Sequence, residues 1–124
     1  MSFTCKDISS LTSEISDNKL KELLTCREND EIDFKLIDIR EMFEYSDLSI
    51  DGTDLLLPTS ILHTKMDELE KIKESFIILY CRTGNRTGHM LGILQRMGFK
   101  KIAHLSDGIV QFSGKTSKNA PLPN

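Results

Sequence analysis

At 124 residues the chain has room for one domain with one core. Its 39% apolar and 28% charged residues exclude an unfolded chain, and its longest apolar run, Phe76 to Cys81, falls far short of the roughly 20 residues a membrane helix needs. A formal net charge of −3 argues against a general affinity for nucleic acid.

Residues 1–11 read as a polar lead-in, and 115–124, with Pro121 and Pro123, as a frayed or extended tail; the domain lies between, over 12–114. Ser16 or Asp17 can cap a helix that runs to about Cys26, with Leu20, Leu23 and Leu24 on one face. The polar stretch 27–34 is a loop, and 35–39 (Lys-Leu-Ile-Asp-Ile) a strand. A short helix is expected from Glu41 to about Tyr45, and a short strand over Leu55-Leu56-Leu57, stopped by Pro58. Thr64 can cap a helix through Ile72 whose buried stripe is Met66, Leu69 and Ile72. Phe76 to Tyr80 is apolar at every position, as a strand covered on both faces would be. An amphipathic helix over 87–97 turns Met90, Leu91, Ile93, Leu94 and Met97 inward, and Gly98 ends it. A last strand covers 101–105. Strands alternating with helices imply an α/β fold: a mostly parallel sheet with helices on both faces, and ligands at the carboxyl ends of the strands.

The charge is unevenly spread. No acidic residue lies between Glu74 and Asp107, a stretch that holds Arg82, Arg86, Arg96, Lys100 and Lys101; elsewhere eleven basic residues face nineteen acidic ones. A basic segment in an acidic protein suits a small anionic ligand near residues 82–101. There are three cysteines, Cys5, Cys26 and Cys81. The odd number and the lack of a C-x-x-C spacing argue against a disulfide framework and against a zinc site. The N-terminus shows no basic segment leading into an apolar one, so a cytoplasmic location is expected.

Cys81 has unusual neighbours. A buried strand is followed by Cys81-Arg82-Thr83-Gly84-Asn85-Arg86 and then by a helix. In that order the N–H groups of a tight loop can turn inward as an anion nest, and the first turn of the helix adds unpaired donors. Gly84 opens backbone angles closed to other residues, and Arg82 and Arg86 add full positive charges. A thiol held there is expected to ionise near neutrality and to act as a nucleophile. The plain alternative, a cysteine buried for packing, needs none of these neighbours.

The segment Tyr80-Cys81-Arg82-Thr83-Gly84-Asn85-Arg86-Thr87 resembles the active-site loop of rhodaneses, C-R-[ST]-G-x-R-[ST]. Leu36-Ile37-Asp38-Ile39-Arg40-Glu41 with Glu44-Tyr45, and Gly98-Phe99 through Leu105, resemble two further signatures of that family, in the same order. Gly52 and Pro58 fall near its conserved glycine and proline. The likeness spans residues 12 to about 114. Ser49 stands where the family often has His, Asp107 replaces a glycine, Phe112 replaces a Trp, and 46–57 is one residue longer. None of these departures touches the loop.

The resemblance implies a three-layer rhodanese-like fold and a sulfurtransferase. Cys81 would take sulfur from a small anionic donor such as thiosulfate as a persulfide and pass it to cyanide, a thiol or a sulfur-relay protein. No cofactor, metal, nucleic acid or membrane is called for. The loop residues Arg82, Thr83, Gly84, Asn85, Arg86 and Thr87 would hold the substrate; Arg86 either grips the anion or fixes the loop, and Thr87 either caps the helix or donates to bound sulfur. Asp38 and Arg40 are expected to brace the loop. Tyr80 and His104 look like plain strand residues, and His89 like neither ligand nor base. Two rivals stand beside this: a non-catalytic module that binds a protein, and a phosphatase or arsenate reductase. Tyrosine phosphatases use C-x5-R, whereas the residue that spacing would require to be Arg is Thr87.

Overall fold

The computed structural model describes Cys5 and residues 13–123. In chain order it holds β1 (Ser13–Ile15), α1 (Asp17–Glu28), β2 (Lys35–Asp38), α2 (Met42–Asp47), β3 (Ser49–Ile50), β4 (Leu55–Leu56), α3 (Met66–Lys71), β5 (Ile77–Tyr80), α4 (Asn85–Arg96), β6 (Ile102–Leu105) and β7 (Thr116–Ser117). Five strands make one parallel sheet in the order β1-β6-β5-β2-β4. Strand β5 is central, with Ile77 to Tyr80 all buried. Its residues alternate between two cores. Ile78 and Tyr80 pack with Leu20 and Leu23 of α1, while Ile77, Leu79 and Cys81 pack with Leu69 of α3 and Leu91 and Leu94 of α4. The expected α/β class, with helices on both faces of a parallel sheet, is therefore what the chain builds.

Local sequence explains most element ends. The Ser16 side chain accepts from the Lys19 N–H and caps α1, which runs on to Glu28. Glu41 and Glu44 form a capping box on α2. Gly98, with φ +96°, stops α4 as expected.

Several expectations need correction. Thr64 does not cap α3, because its hydroxyl donates to the Ile61 carbonyl within a 3₁₀ turn, Leu62–Thr64, and the α-helix starts only at Met66. Helix α4 starts two residues early, at Asn85, directly after left-handed Gly84. Met97 lies past its last turn and is 44% exposed rather than buried. Strands β1, β3 and β7 were not foreseen; β3 and β7 pair antiparallel over two residues each, too short for any periodicity to show. The expectation against disulfides also fails: Cys5 and Cys26 are bonded, with Cα atoms 5.9 Å apart. The two lie 21 residues apart in no recognisable spacing. No helix among the described residues is long and apolar enough to cross a membrane.

Candidate active site

The site lies at the carboxyl ends of β2 and β5. Cys81 follows β5 directly and is 1% exposed. Two glycines let the chain turn there. Gly84 has φ +97°, and a Cβ on it would collide with the Ser106 carbonyl; Gly108 has φ +72°, and its Cβ would collide with the Arg82 carbonyl. The segment after β6 closes on the loop through Ile109 N–H to the Cys81 carbonyl at 2.9 Å and Val110 N–H to the Arg82 carbonyl at 3.2 Å.

The loop wraps the sulfur in donors. The Gly84 N–H points at Cys81 Sγ at 3.2 Å, and the Thr87 hydroxyl lies 3.5 Å from it. Burial pushes the thiol up, but the Thr87 hydroxyl and the N–H groups of Thr87, Gly84 and Arg86 outweigh it, and the pKa ends below its ordinary value. A buried sulfur surrounded by inward N–H groups can carry a negative charge and attack an electrophile.

The remaining expected residues fall into place around this centre. Arg82, Thr83 and Asn85 are exposed. Arg82 lines a groove of ≈ 390 Å³ with Arg40, Phe43, Glu44 and Val110 among its other walls. Arg86 makes a two-pronged ion pair with Glu44, both contacts 2.8 Å. Those hydrogen bonds hold the Glu44 carboxyl down at about 2. Arg86 thus ties the loop to α2.

Asp38 and Arg40 form a buried pair. Arg40 donates from Nε and Nη2 to the Asp38 carboxylate at 2.8–3.2 Å, and its backbone N–H adds a bond of 2.8 Å. Arg40 Nη2 also reaches the Leu48 carbonyl at 2.6 Å. Burial pushes the Asp38 carboxyl up, and the bonds from Arg40 oppose that rise. The pair joins the end of β2 to the segment after α2, so its contacts are those of a brace.

Thr87 is fully buried in the first turn of α4 but does not cap it; Gly84 occupies that position. The Thr87 hydroxyl donates to the Gly84 carbonyl at 3.2 Å and lies 2.7 Å from His104 Nδ1. His104, taken from sequence as a plain strand residue, therefore belongs to the site's surroundings. So do Glu44 and Gly108, to which the sequence assigned no role there. A signal for His104 existed: its register with Leu79 sets it on the buried face beneath α4, where an apolar residue is the ordinary choice.

The chain is similar in sequence and fold to known proteins. A family model described as "Rhodanese-like domain" matches residues 16–115. The "Probable adenylyltransferase/sulfurtransferase MoeZ" of Mycobacterium tuberculosis is 32% identical over 78 residues, 63% of this chain and 20% of that protein. The chain thus spans about a fifth of that relative's length. A "Sulfurtransferase" of Allochromatium vinosum is 27% identical over 103 residues, covering 83% of this chain and 90% of the relative. The solved rhodanese-like domain of the Anabaena Alr3790 protein superposes with a TM-score of 0.71 at 23% identity, over 87% of this chain and 80% of that one. With a family model matched over residues 16–115 of its 124, the chain belongs to the rhodanese-like domain family.

Proposed function

We propose that this protein is a sulfurtransferase in which Cys81 carries the transferred sulfur. The observation that carries the proposal is the nest of N–H groups from Gly84, Arg86 and Thr87 around a buried sulfur whose pKa is lowered. Relatives named sulfurtransferases support it.

The chemistry is a double displacement. The Cys81 thiolate attacks the outer sulfur of a donor such as thiosulfate. A new S–S bond forms, the old one breaks, and sulfite leaves with the electron pair. The persulfide's terminal charge then rests in the same nest that held the thiolate. Cyanide or a thiolate, free or on a relay protein, attacks the terminal sulfur, and Cys81 departs as thiolate. Neither half-reaction calls for a metal or cofactor. In this reading Arg82, Thr83 and Asn85, which are exposed, would meet the donor, while Arg86, Asp38 and Arg40 would hold the loop. The loop closes Cys81 to Arg86 in one residue fewer than the C-x5-R of tyrosine phosphatases, a ring that favours a single sulfur over a tetrahedral oxyanion.

Intact mass after incubation with thiosulfate tests this directly. A gain of one sulfur atom on Cys81, removed by cyanide or dithiothreitol, is expected. An unchanged mass with several sulfane-sulfur donors would favour a non-catalytic binding module instead.

A further inference from the structure

Behind the nest lies a polar chain that the double displacement above does not use. Cys81 Sγ, Thr87 Oγ1 and His104 Nδ1 follow one another at 3.5 and 2.7 Å. All three residues are buried, at 1%, 0% and 5% exposure. A threonine hydroxyl has one proton to give and two lone pairs. Around Thr87 three atoms can compete for that proton: the Gly84 carbonyl, His104 Nδ1 and the Cys81 sulfur. The state of Nδ1 settles the competition. If Nδ1 is bare, it draws the hydroxyl proton toward itself and away from the sulfur. If Nδ1 carries hydrogen, it donates to Oγ1, and the hydroxyl proton must go elsewhere. An ionised sulfur is then the stronger acceptor, since a bond to a charged group is about twice as strong as one between neutral groups.

We propose that His104 is a positioning residue for Cys81: in its Nδ1–H form it donates to the Thr87 hydroxyl and so turns that hydroxyl's proton onto the Cys81 thiolate. It rests on Cys81 being the reactive thiolate of the proposed function, and it adds a residue from a second strand to the machinery. No proton is transferred; the chain runs His104 Nδ1–H to Thr87 Oγ1, and Thr87 O–H to Cys81 S⁻. The fold prepares this arrangement. β6 pairs with β5 so that His104 lies level with Leu79, two residues before Cys81. Gly88, one turn into α4, faces the ring: a Cβ there would stand 3.6 Å from His104 Cε1, an ordinary packing contact. Burial pushes the imidazole pKa down, although Glu14 on the neighbouring strand β1 opposes it. Burial thus favours the neutral ring, in which one of the two nitrogens holds the hydrogen. Besides Glu14, the charged group that bears on this chain is Arg86 on α4, next to Thr87 and coupled to the thiolate.

Two measurements test the proposal on the full chain. In protein labelled with ¹⁵N-histidine, long-range NMR spectra report the His104 tautomer. Hydrogen on Nδ1 is expected at mildly alkaline pH, where Cys81 is ionised. Hydrogen on Nε2 alone would overturn the proposal, and this needs no variant to fold. The second measurement is the pH–rate profile for iodoacetamide at Cys81. His104→Leu should raise the apparent thiol pKa by about one unit, or about tenfold less thiolate in the acid limb. His104→Asn, which keeps an N–H donor, should restore much of the shift. In a Thr87→Val background, His104→Leu should add nothing. An equal effect of His104→Leu with and without the Thr87 hydroxyl would mean that the histidine acts through packing, and the proposal would fall. Neither measurement requires sulfur transfer, whereas the thiosulfate mass experiment does, so this inference and the proposed function fail separately.

Discussion

Cys81 and Cys26 are both buried, at 1% and 7% exposure, yet their surroundings differ in kind. Cys26 sits in the last turns of α1 and is bonded to Cys5. As a disulfide it has no thiolate to offer. Cys81 sits at a strand end where three N–H groups and a hydroxyl converge on its sulfur. Burial alone raises a thiol's pKa, and in Cys81 the convergent donors reverse that effect. Reactivity in this chain is thus a property of the loop, and the cysteine exploits it.

The bluntest way to break the contrast is to remove one sulfur at a time. Cys81→Ser should abolish the thiosulfate-dependent mass gain entirely, while Cys5→Ser with Cys26→Ser should leave it in place. Loading that survives in Cys81→Ser would move the chemistry to the other pair. A milder change keeps the sulfur and spoils its setting. Gly84→Ala puts a Cβ on a left-handed residue, at a backbone cost of about 1–2 kcal/mol, and drives it into the Ser106 carbonyl. The loop must open to fit it, and the Gly84 N–H then leaves the sulfur. Cys81 alkylation near pH 6 should fall about tenfold or more, in step with about one unit of pKa. A Gly84→Ala protein that folds and alkylates at the parental rate would show that the nest is not what activates the thiol.

The contrast is sharpened by labelling all three cysteines at once. In the oxidised protein iodoacetamide should modify Cys81 alone, at a pH below the ordinary thiol value of about 8.5. After reduction Cys5 and Cys26 should label as well, but more slowly than Cys81 at acid pH. Peptide mapping of the labelled protein separates the three. Rapid acid-side labelling of Cys26 after reduction would erase the distinction between the two environments.

How much of this was legible in the sequence depends on how far apart the partners lie. The loop is contiguous, so its cysteine, arginines and glycine could be read together, with the strand before and the helix after. The Ser16 cap and the Gly98 stop are equally local. Contacts between distant segments were not legible. Arg86 meets Glu44 across 42 positions, and Thr87 meets His104 across 17 through the stacking of α4 on β6. Neither pair has a spacing rule. The disulfide failed for the same reason, since an odd cysteine count says nothing about which two lie together in space. Strands β3 and β7 are two residues each, too short for a pattern, and meet only through pairing of distant segments, although Ile50 of β3 is buried in the core. Thr64 shows a related limit: a residue fit to cap a helix used its hydroxyl on the preceding turn.

The smallest expected effect concerns the far end of the loop, where Arg86 is fastened to Glu44. Glu44 has its pKa lowered from 4.5 to about 2, chiefly by the Arg86 hydrogen bonds, so above pH 4.5 the folded protein keeps a paired carboxylate. Between pH 4.5 and about 2 the unfolded chain binds the proton first, and the pair's contribution to stability is lost as pH falls. The pair is part-exposed, with Arg86 at 36% and Glu44 at 16%, so screening limits its worth to about 1 kcal/mol or less. Glu44→Gln keeps one acceptor oxygen, for the Glu41 N–H, but removes the charge and puts an NH2 donor where the second oxygen accepted from Arg86. Asp38, whose pKa is raised by burial, contributes with the opposite sign, but it does so in both proteins and cancels in the difference. Unfolding free energies of the parent and the variant should therefore differ by a constant amount above pH 4.5 and converge toward pH 2. Curves that stay parallel through that window would show that Arg86 does not depend on the Glu44 charge, and that the loop keeps its shape, and Cys81 its nest, without that tie.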